Sequence, residues 1–504
     1  MMKLRLLAIA AALVAASGAH ALTPAQIAAS RTAGTLKEVT FSGASALRLT
    51  FGAYAAEICD TATLHVYFNG ALPVDNTDGV NHRAYACKLK AAAGNYAAGT
   101  DVVIYKRDQS GSTAGANPIA TNSAMAHMKI VDDATCAVTP NPVFSDILVP
   151  NYLCSGTENR VSDAGISDVE PAVLNVAPNL TDNTPGNPGS GSVAAVDLSN
   201  LVTNSFVQAI FGVAVNKQAY LALQKTQFPA LAGATTIDES DAFRPSLPTS
   251  FIRGFLTGGL SASNTTKRGW GLVISEAADA AVNTKAFNIC RRQPGSGTQA
   301  ASNLYFANSP CGGGAAASPL RQAGTTSPAP AVTGSYIVNE QSGSGGVLNC
   351  LKAVDALTGA YGLAVIGREN NPLANGALPG SAGDGGYRYV KIDGMQPVRY
   401  DAATGKGAVT GDYDFVYEST LQYNSTNAAV DADKLSFINA VRVNAPKPAS
   451  LRVLDVDVQQ GVASPSGAWA ALGQYPALNA NDKPFASRVA RLAGQSCTTL
   501  KYVR

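Results

Sequence analysis

Residues 288–306, "NICRRQPGSGTQAASNLYF", place two arginines and a Gly-Ser-Gly-Thr turn directly before a helix-like run. A Gly-rich stretch is often only a flexible loop, so its interpretation depends on the residues that flank it. A turn in this position aims unpaired backbone N–H groups and short hydroxyls at one point near the positive helix end, which suits an anion. Arg292 adds a planar, permanently charged group that matches a tetrahedral oxyanion. The stretch therefore predicts one side of an anion site.

Two other Ser/Gly turns stand in the same setting, after a strand-like segment and before a helix-like one. "TFSGASALRL" contains Ser45 and Ala46, and "IYKRDQSGSTAG" contains Ser110. Glycines in such turns let the backbone approach a ligand without a Cβ in the way. One such turn is a weak signal, whereas three together favour a shared binding site.

The wider pattern predicts an α/β fold with largely parallel sheets. Short β-branched segments alternate with helical ones, as in "EVTF" before "SALRLTFGAYAAEIC". In that helix Leu47, Phe51, Tyr54 and Ile58 recur at three- and four-residue steps, which predicts one buried face. A length of about 480 residues after the N-terminal segment described next implies more than one lobe.

The first 21 residues have the pattern of a secretory signal peptide, with Lys3 and Arg5, an apolar run and an Ala-His-Ala exit. Of the 37 lysines and arginines these two would be removed, which leaves 35 against 35 acidic side chains. Neutrality argues against nucleic acid or a membrane surface as the main partner. No cysteine follows the cleavage point after Ala21. We therefore expect a periplasmic or secreted protein without a lipid anchor.

Eight cysteines in an exported chain favour disulfides. Pairing neighbours along the chain predicts Cys59–Cys87, Cys136–Cys154, Cys290–Cys311 and Cys350–Cys497. The alternative is a metal site, because His65 and His82 lie between Cys59 and Cys87. An oxidising compartment favours the disulfide, and these spacings match no common zinc pattern.

The order of these features resembles the phosphate-binding proteins of ABC transporters, which are type II periplasmic binding proteins. The family's Arg-x-x-Gly-Ser-Gly-Thr motif is similar to residues 292–298, and its opening Gly-Ala-Ser/Thr turn is similar to residues 43–45. Its Gly-x-Ser-Asp turn is similar to residues 165–168. The resemblance covers roughly residues 37–420 and makes the chain a divergent member with insertions.

The resemblance implies an α/β fold of two lobes with a ligand cleft between them. Residues 1–21 would be the signal peptide, 22–205 plus 409–504 lobe one, and 206–408 lobe two. Phosphate or a related oxyanion would be bound by Ser45, Ala46, Ser110, Asp168, Arg292, Ser296, Gly297 and Thr298. The protein would be a monomeric binding protein without metal or cofactor, and an inner-membrane ABC permease would be its partner.

Asp168 gives this implied site its selectivity. A carboxylate that faces an anion repels it unless the anion carries a proton to donate, as hydrogen phosphate does and sulfate does not. The alternative role for Asp168 is a helix N-cap, since "SDVEP" suits one.

The departures from the family pattern leave the particular oxyanion open. Pro294 stands where the family usually has an aspartate beside the key arginine, and Ala46 replaces a bulky residue. The second turn carries Lys106, Arg107 and Asp108 where the family is mostly small. Insertions lie around residues 59–100, around Cys136 and Cys154, and at 311–334.

Two other functions remain as alternatives. The chain contains no Gly-x-Ser-x-Gly elbow, Walker loop or His-Glu-x-x-His motif, so we expect no enzyme, and a phosphatase-like relative is the lesser alternative. A secreted structural or adhesive protein that reuses the fold is the other, because fold alone does not decide function.

Overall fold

The computed structural model describes residues 22–70, 81–140, 147–180, 195–260, 269–324, 326–373, 377–454, 459–470, 473–491 and 495–503. The predicted signal peptide lies outside these ranges. Within them, no helix is long and apolar enough to cross a membrane.

Twenty strands are assigned in the described residues. The first ten are β1 (Lys37–Gly43), β2 (His65–Asn69), β3 (His82–Lys88), β4 (Asp101–Arg107), β5 (Met125–Met128), β6 (Cys136–Val138), β7 (Tyr152–Cys154), β8 (Thr157–Arg160), β9 (Ala164–Ser167) and β10 (Leu201–Asn216). The others are β11 (Ser246–Leu247), β12 (Phe287–Arg292), β13 (Tyr336–Gln341), β14 (Gly362–Gly367), β15 (Tyr387–Tyr389), β16 (Lys391–Ile392), β17 (Val416–Asn424), β18 (Val462–Ala463), β19 (Val489–Arg491) and β20 (Leu500–Tyr502).

The same described ranges contain twelve α-helices. They are α1 (Pro24–Thr32), α2 (Arg48–Ile58), α3 (Gly111–Ala114), α4 (Asn117–Ala120), α5 (Pro171–Leu174), α6 (Lys217–Gln227), α7 (Thr249–Thr257), α8 (Gly297–Ala307), α9 (Ser344–Ala356), α10 (Ala432–Asn444), α11 (Pro448–Leu451) and α12 (Ser466–Trp469).

One sheet runs through the described part of the molecule in the order β13-β12-β14-β10-β17-β9-β1-β4-β3-β2-β7-β6. β1 is parallel to its neighbours β4 and β9, and β12 is parallel to β13 and β14. Each group of three parallel strands is bordered by an antiparallel strand. β17 pairs with β9 in the first group, and β10 pairs with β14 in the second. The two groups therefore repeat one β-α-β arrangement, and the predicted α/β class is confirmed.

The long strand β10 belongs to both groups. Its residues 201–210 pair with β17, and its residues 211–215 pair with β14. We call the β17-to-β6 side lobe one and the β14-to-β13 side lobe two. The predicted two-lobed architecture is thus present, with β10 as a connection between the lobes.

The first helix packs as its sequence pattern predicts. Phe51 and Tyr54 of α2 are buried, as are Leu47 just before it and Ile58 at its end. Phe41 of β1 packs against Phe51 with ring centroids 4.7 Å apart. Burial of this apolar face fixes the helix on the sheet and so fixes the turn that precedes it.

The first two insertions extend lobe one. Strands β3, β2, β7 and β6 continue the sheet beyond β4. Residues 311–334 instead run along the outer strand β13, where Asn339 Nδ2 donates to Pro328 O at 3.2 Å and the Glu340 amide donates to Gln322 Oε1 at 2.8 Å. These insertions lengthen or cover sheet edges, which protects unpaired strand edges from association.

Two of the four predicted disulfides are confirmed and two are wrong. Cys59–Cys87 and Cys136–Cys154 form, so the thiolates of the suggested metal site are not free. The predicted Cys290–Cys311 and Cys350–Cys497 pairs are replaced by Cys290–Cys350 and Cys311–Cys497. Proximity along the chain fails here because α9, which carries Cys350, packs on β12, which carries Cys290.

Candidate functional site

The predicted binding turns lie where the parallel strands of the two lobes end. β1, β4 and β9 lead into the turns of lobe one, and β12 leads into the turn of lobe two. Since carboxyl ends of parallel strands share one sheet edge, loops that follow them converge. The fold thus brings three separate sequence motifs and Asp168 to one place.

The first turn is fixed by close backbone packing. Gly43 has φ +104°, and a Cβ there would lie 2.0 Å from Ile166 O, so a side chain is not tolerated. A short 3-10 helix, Ser45–Leu47, follows, with Ser45 partly exposed and Ala46 buried. The first turn thus places both predicted residues at the start of a helical segment.

Lys106 supports this turn from beneath. Its side chain is fully buried, and its Nζ donates to Gly43 O at 2.5 Å and lies 2.6 Å from Asp108 Oδ1. The hydrogen bond from Lys106 thereby fixes a carbonyl of the first turn. The family resemblance gave no role to Lys106, and its unusual presence in the second motif was the available signal.

The second turn places Ser110 and Ser112 in different environments. Ser110 has φ +69° and is exposed, whereas Ser112 is fully buried. Ser112 Oγ accepts a hydrogen bond from the Asp168 amide at 3.0 Å. The structure therefore brings Ser112, rather than the predicted Ser110, against Asp168. Both serines lie in one motif, and sequence alone does not show which one turns inward.

The third turn forms the N-terminus of α8. Ser296 is the N-cap, and its Oγ accepts from the Gln299 amide at 3.3 Å, while its hydroxyl hydrogen can still donate. Gly297 and Thr298 open the helix and are buried. First-turn amides have no partner within their own helix, so these groups can bind an anion.

Arg292 is held by a turn that the sequence interpretation missed. Its Nη2 donates to Ser342 O at 2.8 Å and its Nη1 donates to Ser344 Oγ at 3.1 Å. These contacts orient the guanidinium although residue 294 is a proline and offers no carboxylate. "EQSGSGGVLNC" is another Ser/Gly turn between a strand and a helix, so the criterion used for the first three turns would have found it.

The guanidinium of Arg292 is almost completely enclosed. The residue is 3 % exposed, and its Nε has no hydrogen-bond partner among the described residues. A Cβ at Gly111 of the second turn would lie 3.3 Å from Arg292 Nη2. Burial lowers the pKa of Arg292 to about 10, which still leaves it charged at neutral pH.

Asp168 is buried at the junction of the second and third turns. Burial raises its pKa to about 6, while nearby Arg292 and the hydroxyls of Ser112 and Thr298 act in the opposite direction. Its Oδ1 has no hydrogen-bond partner in the described part of the chain. The helix-cap alternative is wrong, because Glu170 occupies the N-cap position of α5.

The turns of the two lobes touch each other directly. The Thr113 amide and Oγ1 both donate to Gly295 O, at 3.0 and 2.8 Å. The Gly295 amide donates to Asn179 O at 2.8 Å, and Asn303 Nδ2 donates to Asn179 Oδ1 at 2.8 Å. The structure therefore shows a closed cleft.

Further charged groups surround this contact. Burial raises the pKa of Glu369, which follows β14, to about 7, while the charge of Arg48 opposes the shift and that of Asp168 adds to it. Arg48 Nη1 donates to Ser45 O at 3.0 Å. Glu369 is a second carboxylate that titrates near neutrality, and the family resemblance gave no signal for it.

The three histidines of the predicted mature chain are engaged in the fold. His65 Nδ1 lies 3.1 Å from Leu22 O, His82 Nδ1 accepts from the Met128 amide, and His127 Nε2 lies 2.9 Å from Ser162 Oγ. Burial lowers the pKa of His82 to about 4 and that of His127 to about 3. These imidazoles are thus neutral structural groups near pH 7.

Fold and site together define a two-lobed α/β architecture in which Ser/Gly turns and buried charged side chains meet between the lobes. No protein-family model and no curated protein matches the sequence. Among solved structures, a possible phosphate-binding protein from Planctomyces limnophilus is similar with 11 % identity and a TM-score of 0.31, over 84 % of this chain and 94 % of that one. An ABC-type phosphate transport receptor from Vibrio cholerae is similar with 11 % identity and a TM-score of 0.27, over 57 % of this chain and 77 % of that one. At these scores the fold class rests on the strand order and not on the neighbours.

Asp168 makes a testable contribution to stability. The pKa of Asp168 in the folded protein, about 6, lies above the ordinary value of 3.8, so the fold favours the protonated carboxyl over the ionised one. The stability that depends on this proton is fully present below about pH 4 and is lost as the pH rises through 6. The loss amounts to at most about 3 kcal/mol. We expect Asp168→Asn to match the parent near pH 4 and to unfold at a higher temperature at pH 7.5, in phosphate-free buffer.

Asp197→Asn serves as the control for this measurement. Asp197 is exposed, and hydrogen bonds from Ser199 lower its pKa, so its replacement should give no such gain at pH 7.5. An equal change in melting temperature at both pH values for Asp168→Asn would contradict the assigned burial of an ionised carboxylate.

Proposed function

We propose that this protein is an exported solute-binding protein that binds inorganic phosphate or a related tetrahedral oxyanion in its interlobe cleft. One observation carries the proposal. Arg292 and Asp168 are buried together among the turns, and each keeps one atom without a partner among the described residues. Buried polar atoms are almost always satisfied, so an unmet donor and an unmet acceptor on two residues that interact electrostatically support a ligand that supplies both partners.

In the proposed complex the anion sits between the lobes. Arg292 would pair with it, the hydroxyls of Ser296 and Thr298 and the Gly297 amide would donate from lobe two, and Asp168 would accept its proton. Ser45, the backbone at Ala46, and Ser110 or its buried neighbour Ser112 would donate from lobe one. Lobe one would comprise residues 22–205 and 409–504, and lobe two 206–408, with hinge motion admitting the ligand.

Calorimetry on phosphate-stripped protein tests this function directly. We expect heat of binding with phosphate and arsenate at pH 7.5, and much weaker binding of sulfate, which has no proton for Asp168. Binding of none of the three would overturn the proposal and favour the structural or adhesive alternative. Transfer of the anion to an ABC permease would require this binding, so absence of binding would also reject transport.

The preference against sulfate should depend on pH. Below about pH 6 Asp168 becomes protonated and can donate a hydrogen bond instead of repelling the anion. We expect sulfate to bind more tightly at pH 5 than at pH 7.5, measured by calorimetric titration at both values. In Asp168→Asn this difference should disappear. A difference that persists in the variant would assign the effect to another group, such as Glu369, and contradict the role of Asp168.

A further inference from the structure

One disulfide connects the two sides of the cleft. Cys311 lies four residues after α8 ends and belongs to lobe two, whereas Cys497 is 186 residues further along. Ser496, beside Cys497, makes two hydrogen bonds with Glu170. The Ser496 amide donates to Glu170 Oε1 at 3.1 Å, and the Glu170 amide donates to Ser496 Oγ at 3.2 Å. Glu170 is two residues from Asp168. The disulfide thus ties the helix of the third turn to the segment that carries Asp168.

The other three disulfides each stay within one lobe. Cys59–Cys87 and Cys136–Cys154 join elements of lobe one, and Cys290–Cys350 joins β12 to α9 in lobe two. They stabilise the lobes without limiting the movement of one lobe against the other. This makes Cys311–Cys497 different in kind from the rest.

The position of the disulfide restricts a hinge. The chain passes from lobe one to lobe two within β10, which pairs with β17 up to residue 210 and with β14 from residue 211. It returns to lobe one just before β17. Two such connections leave rotation about the line between them. A third covalent connection on the flank of the cleft opposes that rotation. Tyr305 of α8, which stacks on Phe415 with centroids 4.4 Å apart, adds packing on the same flank.

We propose that this cross-lobe disulfide makes the protein retain its anion, because the cleft opens only slightly and a bound anion is released slowly. Such a protein suits retention of an oxyanion more than rapid delivery to a permease, because delivery needs a wide opening in each cycle. The retention role rests on the proposed anion-binding function. The restraint on opening does not, since it follows from connectivity alone.

The test compares two variants that each lack one disulfide. Cys311→Ser with Cys497→Ser removes the cross-lobe link, and Cys136→Ser with Cys154→Ser removes one within lobe one. Small-angle X-ray scattering of phosphate-free protein should show a larger radius of gyration for the first variant only. Release of radiolabelled phosphate into an unlabelled excess should be at least tenfold faster for the first variant, with the control at the parental rate.

The two readouts separate the two hypotheses. Unchanged scattering and unchanged release in the cross-lobe variant would overturn the restraint. A larger radius of gyration without phosphate binding by the parent would retain the restraint and reject the anion-binding function.

Hydrogen exchange on the unaltered protein provides a measurement that does not depend on a variant folding. The amides of Thr113 and Gly295 should stay protected in ligand-free protein, because the closed contacts between the lobes persist. Rapid exchange of both amides in the disulfide-bonded, ligand-free protein would overturn the proposal.

Discussion

Replacement of Arg292 by methionine is expected to weaken phosphate binding at least 100-fold, about 3 kcal/mol. The residue is 3 % exposed, and of the charges that lower the pKa of buried Asp168 its charge has the largest effect. Without it, an incoming anion would meet a buried carboxylate that has lost its main positive partner. Calorimetric titration of phosphate at pH 7.5 measures the loss.

A matched pair of lysine substitutions tests whether the geometry of the guanidinium matters in addition to its charge. Arg292→Lys keeps the charge but cannot reproduce both contacts, with Ser342 O and Ser344 Oγ, so we expect at least a tenfold loss. Arg291 is the neighbour in sequence, but its guanidinium is paired with a carboxylate, with Arg291 Nε 3.5 Å from Glu340 Oε1. Arg291→Lys should therefore leave affinity unchanged. Equal affinities of both lysine variants and the parent would show that the charge alone suffices and would contradict the proposed role of the guanidinium geometry.

Replacement of Gly297 by alanine is expected to weaken phosphate binding 10- to 100-fold through the fit between the lobes, about 1–3 kcal/mol for overpacking. A Cβ at this position would lie 2.2 Å from Ser112 Oγ and 2.5 Å from Asp168 Cβ. Neither neighbour can move far, because both are buried and Ser112 is hydrogen-bonded to the Asp168 amide. The added methyl group would hold α8 away from lobe one. Calorimetry again measures the affinity.

Gly467→Ala is the matched control for this substitution. Gly467 also lies in the first turn of a helix, α12, but a Cβ there would have nothing within 4 Å. It should therefore retain parental affinity. Thermal unfolding separates the remaining explanation, since Gly297→Ala acts on closure and should leave each lobe folded. Parental affinity in Gly297→Ala would mean that the anion does not bind in the closed arrangement.

What a short motif can predict about these turns depends on how local their geometry is. Gly43 and Gly295 have positive φ, and such a requirement for glycine is visible in a short motif. The burial of Ser112 in place of Ser110 was not visible, because both occupy one turn and only packing against Asp168 distinguishes them.

Other residues were missed because their partners are distant in sequence. Lys106 acts on the first turn from another strand, and Ser342 and Ser344 hold Arg292 from a fourth turn about fifty residues away. The two wrong disulfide pairs failed for the same reason. Cys136 and Cys154 pair because β6 and β7 lie side by side, whereas Cys290 and Cys311 each pair with a cysteine much further along the chain.

The sequence by itself determined the α/β class, the three Ser/Gly turns after strands and the position of Arg292 at the end of one of them, because strand-turn-helix patterns and glycine requirements are local properties of the chain. Only the tertiary structure decided which serine faces Asp168, how Arg292 is held without an aspartate at position 294, and which disulfide crosses between the lobes. Those outcomes depend on contacts between residues tens to hundreds of positions apart, and such contacts are fixed by how the sheet and helices pack.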